Sequence, residues 1–142
     1  MGLAYLKSRK AVYPPPEPLV WETPHMSVSF RDYIYSTAHT HHDAEPALIA
    51  AMNEAARFEP EAVFPLGTYQ WSVGTGSLDC FIERYTRRGI MTFGGWMESL
   101  SRMWLFNQNY RNVSFAVDIS AKETDAQGRT YLYDQGDCYL IL

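Results

Sequence analysis

Residues 90–119 read Ile90-Met91-Thr92-Phe93-Gly94-Gly95-Trp96-Met97-Glu98-Ser99-Leu100-Ser101-Arg102-Met103-Trp104-Leu105-Phe106-Asn107-Gln108-Asn109-Tyr110-Arg111-Asn112-Val113-Ser114-Phe115-Ala116-Val117-Asp118-Ile119. The period of the apolar residues changes inside this stretch. Phe93, Trp96, Met97, Leu100, Met103 and Trp104 recur at three- and four-residue steps, which predicts one face of a helix capped by Thr92. Glu98, Ser99, Ser101 and Arg102 fall on the other face. From Val113 the apolar residues alternate through Phe115, Val117 and Ile119, the pattern of a half-buried strand. Burying each large side chain of the helix contributes about 1.5–3 kcal/mol, so this helix is expected to be the main wedge of the core.

Working outward, Leu78–Tyr85 and Thr68–Val73 alternate and face each other across Gly74-Thr75-Gly76-Ser77, which predicts a hairpin. Ala44–Phe58 reads as a helix, with Asp43 as N-cap, Pro46 in the first turn and Glu59-Pro60 as its stop. Ser27–Tyr35 reads as a strand with Val28 and Phe30 on one face and Tyr33 and Tyr35 on the other. Beyond Val113–Ser120 comes a polar loop, 122–128. A last strand, Arg129–Leu142, is expected to be broken or bulged near Asp134-Gln135-Gly136-Asp137. The order β-α-β-β-α-β is that of a ferredoxin-like α+β sandwich. It has an antiparallel sheet, two helices on one face, and an extra C-terminal strand at an edge. Residues 1–26, with Pro14-Pro15-Pro16 and Pro18, form a proline-rich arm whose docking point is Val20-Trp21. Residues 27–142 form a single domain.

Composition narrows the function classes. The chain has 142 residues, enough for a core without staples. Its net charge of −4 argues against nucleic-acid binding. No apolar run is long enough to span a membrane, and the N-terminus lacks a signal-peptide core, so a cytoplasmic location is expected unless a leader was removed. Cys80 and Cys138 make no disulfide framework and read as buried structural thiols. The aromatic fraction of 15% suggests rings that fill the core or line a pocket.

The segment Gly67-Thr68-Tyr69-Gln70-Trp71-Ser72, then Met91-Thr92-Phe93-Gly94-Gly95-Trp96, then Tyr110-Arg111-Asn112-Val113-Ser114-Phe115 resembles a group of small uncharacterised fungal proteins. In that group a Thr-aromatic-Gly opening precedes an amphipathic helix and a tyrosine-led apolar strand. The resemblance covers roughly residues 67–119, and it implies a source rather than a chemistry.

His39-Thr40-His41-His42-Asp43 resembles part of a hydrolase metal-ligand run, but Ala44 stands where a further histidine belongs. A polar loop leading to a helix cap is the stronger reading, and no metal or cofactor is expected. Gly94-Gly95 opens a helix near Arg87 and Arg88. Tight packing of the first turn is favoured there over an anion site. The functional expectation is a binder of a small apolar or aromatic ligand, with Tyr69, Trp71, Trp96, Trp104 and Phe115 lining the pocket. In its enzymatic form it is a cofactor-independent isomerase or cyclase. One of His39, His41 or His42 then moves a proton, and Asp43 or Asp118 orients it. The alternative is a non-catalytic protein that self-associates, for instance as a homodimer.

Overall fold

The computed structural model describes residues 13–36, 43–84 and 88–142. Strands β1 (Leu19–Glu22), β2 (Met26–Tyr35), β3 (Gly67–Val73), β4 (Gly76–Ile82), β5 (Val113–Thr124) and β6 (Thr130–Ile141) join helices α1 (Glu45–Ala55) and α2 (Phe93–Asn109). The strands form one sheet in the order β1-β2-β5-β6-β4-β3, with every neighbouring pair antiparallel. Helix α1 lies over β3 and β4, α2 over β2 and β5, and the helices pack on each other. Among the described residues no helix is long and apolar enough to cross a membrane.

This architecture keeps the α+β class and corrects the ferredoxin-like order. The strands flanking α2, β4 and β5, do run parallel with β6 between them, which is a split β-α-β unit. Those flanking α1, β2 and β3, are separated by three strands. The last strand is central rather than at an edge. Its ladder with β5 starts at Thr124↔Thr130 and runs back to Phe115↔Leu140, so β6 returns along β5 and takes the place beside it. The expected polar loop shrinks to a tight turn. Asp125 Oδ1 accepts the N–H groups of Gln127 and Arg129, and β5 continues to Thr124. The edge next to β2 is filled by β1, where Trp21 pairs in register with Val28 and meets Phe30 edge-on at 5.9 Å.

The register shows how the sheet builds the core. Directly opposed residues share a face, so Phe30, Val117, Cys138, Cys80 and Tyr69 form one row across five strands on the helix side. The first four are buried. Helix α2 adds Trp96, Leu100, Met103 and Phe106, all at most 1% exposed. Its buried face is turned slightly from the one expected. Ser99 is buried, with its hydroxyl donating to Gly95 O at 3.0 Å, while Met97 and Trp104 lie at the rim, half-buried.

Two bulges correct the simple alternation. In β2 the register slips between Arg31 and Ile34, and Asp32 has a φ of 56°. The slip returns Tyr33 to the core side against Phe106, at 5.6 Å, although alternation from Phe30 put it outside. In β6 the register slips between the pairs Ile119↔Gly136 and Ser120↔Asp134, leaving Gln135 as the extra residue, at the predicted place. The Gln135 side chain is fully buried. It accepts from Met91 N at 3.2 Å and donates to Gly89 O at 2.6 Å and Tyr133 O at 3.1 Å. The bulge therefore holds the approach to α2.

Candidate functional site

A cavity of about 380 Å³ opens between the C-terminal half of α1, the connecting segment 59–66, strand β3 and the first turns of α2. Each wall has a local cause. Helix α1 presents Ala51, Glu54 and Ala55, one turn apart on one face, and Phe58 follows in the turn just past its end, which comes at Ala55 rather than at the expected Phe58. Strand β3 presents Tyr69 and Trp71, two residues apart and so on the same side. Their rings stack at 5.9 Å with 6° between planes. Helix α2 presents Phe93 and Trp96 at a three-residue step.

The segment between α1 and β3 has no periodicity, yet it is firmly attached. Phe64 N donates to Met91 O, Phe93 N to Ala62 O and Gly94 N to Pro60 O, each within 3.0 Å. Phe64 thereby stacks on Trp96 at 4.8 Å and meets Phe93 edge-on at 5.1 Å. Phe58 stacks on Phe93 at 4.3 Å but keeps half of its surface exposed.

Polar groups on this wall are few and committed. Trp71 Nε1 donates to Glu54 Oε2 at 2.8 Å, and Tyr69 OH donates to Pro65 O at 2.8 Å. Burial first, and the nearby Glu54 charge second, push the Tyr69 phenol above its ordinary pKa. Tyr69 is thus a neutral donor at pH 7. Phe58 also borders two adjoining clefts, and Arg57 lies on both; in one of them it shares the lining with Glu54 and Trp71.

The expected site residues divide. Tyr69, Trp71 and Trp96 meet on the cavity wall. Phe115 sits in the core against Phe30 and Phe106, at 5.1 and 4.6 Å. Trp104 is half-buried on α2 outside the cavity lining, and it is one of the neighbours that lower the Glu45 pKa. His39, His41 and His42 lie outside the described residues. Asp43 stands one residue before the N-cap, Ala44, and its Oδ1 accepts from Glu45 N at 3.0 Å. Asp43 N donates to Thr75 Oγ1 of the β3–β4 turn at 2.9 Å. That turn approaches α1 so closely that a Cβ on Gly76 would lie 2.5 Å from Ala44 Cα.

Asp118 is on the far face of the sheet, directly opposite Asp137. Two like charges so placed repel, and Arg31 lies between them. Its Nε and Nη2 bond Asp118 at 2.8 and 3.0 Å, and Nη2 stands 3.6 Å from Asp137. The Asp118 bonds lead the causes that raise the Arg31 pKa further above its ordinary value. Asp118 therefore serves an ionic cluster away from the cavity.

Residues missed from the sequence are Glu54, Phe58, Phe64 and Phe93. The only legible signal was the four-residue step from Glu54 to Phe58. The opening of α2 is closed to anions. The Phe93 and Gly94 N–H groups go to Ala62 O and Pro60 O, and Gly95 N goes to Thr92 Oγ1 at 3.2 Å. A Cβ on Gly95 would lie 2.9 Å from Met26 Sδ, so the glycine serves close packing. Cys80 and Cys138 face each other in register, both buried as free thiols, and burial first pushes the Cys138 thiol well up. Among the described residues no group of His, Cys, Asp or Glu is arranged to hold a metal ion. Comparison of the chain with protein-family models, with curated proteins and with solved structures found no match.

Proposed function

We propose that this protein binds a small, largely apolar ligand in the cavity walled by Tyr69, Trp71 and Trp96. The observation that carries this reading is an open cavity of about 380 Å³ lined by six aromatic rings beside the buried core. Open apolar surface next to a packed core is costly unless something covers it, and this volume is at the lower end of ligand sites. In the isomerase or cyclase form of this reading Glu54 takes the proton-transfer role, because it is the carboxylate on the wall. The test is titration with p-cresol, following the indole N–H signals of all four tryptophans by NMR. Saturable shifts at Trp71 and Trp96 with Trp21 and Trp104 unmoved are expected. Shifts that are absent or equal at all four refute the site.

The free edge of β3 favours self-association as a second reading. Among the described residues this strand pairs with β4 alone, and Val63 and Leu66 just before it are exposed. Sedimentation across a hundredfold concentration range tests it. An unchanging monomer mass refutes it.

A further inference from the structure

We infer that the ligand of this cavity is an organic cation whose charge lies on an alkylated nitrogen. This rests on the ligand-binding reading above and adds the chemical class. Six rings, Phe58, Phe64, Tyr69, Trp71, Phe93 and Trp96, share one small wall. Each aromatic face carries a negative quadrupole, and a cation within about 6 Å of a ring centroid is attracted to it. Aliphatic side chains would serve a neutral apolar ligand as well.

The formal charge points the same way. Among the described residues that line the cavity, Glu54 carries the one acidic or basic side chain, a carboxyl group. The Trp71 indole holds its carboxylate at 2.8 Å, which fixes the negative charge beside that ring. No arginine or lysine among the described residues pairs with Glu54. An anion would meet this charge, the ring faces and a helix start whose N–H groups are already bonded.

The shortage of acceptors selects the type of cation. A bare ammonium brings three N–H donors that need partners when buried. The wall offers it few oxygens: Pro65 O and Glu54 Oε2 each already accept one bond, which leaves Glu54 Oε1 as its main partner. An alkylated nitrogen presents C–H surface instead, spreads its charge over the methyl groups and needs no acceptor.

The test compares choline with 3,3-dimethylbutan-1-ol, its neutral carbon analogue of nearly the same shape. The Trp71 and Trp96 indole N–H signals report binding. Choline is expected to bind at least tenfold more tightly, and only its affinity should weaken as salt rises from 20 to 500 mM. Glu54→Gln keeps an acceptor for the Trp71 indole at an exposed helix position, and it should reduce the preference at least fivefold. Equal or tighter binding of the neutral analogue overturns the cation and leaves the apolar-ligand reading standing. So does a preference unchanged by Glu54→Gln. If neither probe moves Trp71 or Trp96 while p-cresol does, the inference fails by itself. If p-cresol also fails, both readings fall.

Discussion

Replacing Gln135 with alanine tests how the β6 bulge supports the cavity. The wild-type carboxamide satisfies Met91 N–H and Gly89 C=O, two groups buried with it, and also reaches Tyr133 C=O. Alanine leaves the first two without a partner in a site that water does not reach. Each such orphan costs about 1–3 kcal/mol, so the variant should lose about 3–4 kcal/mol. Unfolding entropy of about 2.1 cal/mol/K per residue makes each kcal/mol worth about 3 °C for a chain of this size, which predicts a Tm lower by about 10 °C. Calorimetry with urea melts of unchanged m-value measures it. Gln135→Glu supplies the sign. Protonated, glutamate can donate to Gly89 O and accept from Met91 N as glutamine does. Ionised, it faces the buried Gly89 O and the part-buried Tyr133 O, so its folded-state pKa must rise above the unfolded value of about 4.3. The variant's stability should therefore be greatest below that value and be lost as pH rises through the folded pKa. A loss under 1 kcal/mol for Gln135→Ala, or a Gln135→Glu variant indifferent to pH between 4 and 8, would refute the assigned role.

Trp96→Ala should destabilise by about 3–5 kcal/mol, because the ring is 1% exposed, whereas half-buried Trp104→Ala should cost less than half as much; equal losses in urea melts would show the helix face to be misassigned. Glu98 gives an acid-side prediction. Burial pushes its carboxyl up, but bonds from Thr23 Oγ1 at 2.6 Å, His25 Nδ1 at 2.7 Å and His25 N at 2.9 Å outweigh that and hold its pKa below the ordinary value. A depressed folded pKa contributes stability above the unfolded value that is lost as pH falls through the folded one. The wild-type Tm should thus fall more steeply than that of Glu98→Gln below pH 4.5, and parallel curves would contradict the network.

What the residues determine alone is local. The three- and four-residue steps of α2, its Thr92 cap, the alternation of β5 and the irregularity around Gln135 are all written in adjacent side chains. The reason is that helix and strand periods decide directly which face meets water. Even there the reading failed at Tyr33, because a one-residue slip at Asp32 exchanges the faces and leaves no mark in composition. Strand order was decided only in the tertiary structure. An antiparallel sheet offers each strand two edges, and the long return of β6 along β5 excluded the ferredoxin-like arrangement. The cavity belongs to the same category. Glu54, Phe58, Phe64, Tyr69, Trp71, Phe93 and Trp96 come from two helices, a strand and an aperiodic segment, and meet only because backbone bonds fasten residues 60–64 to the start of α2. No spacing encodes that meeting, since it depends on distances in space between residues some forty positions apart.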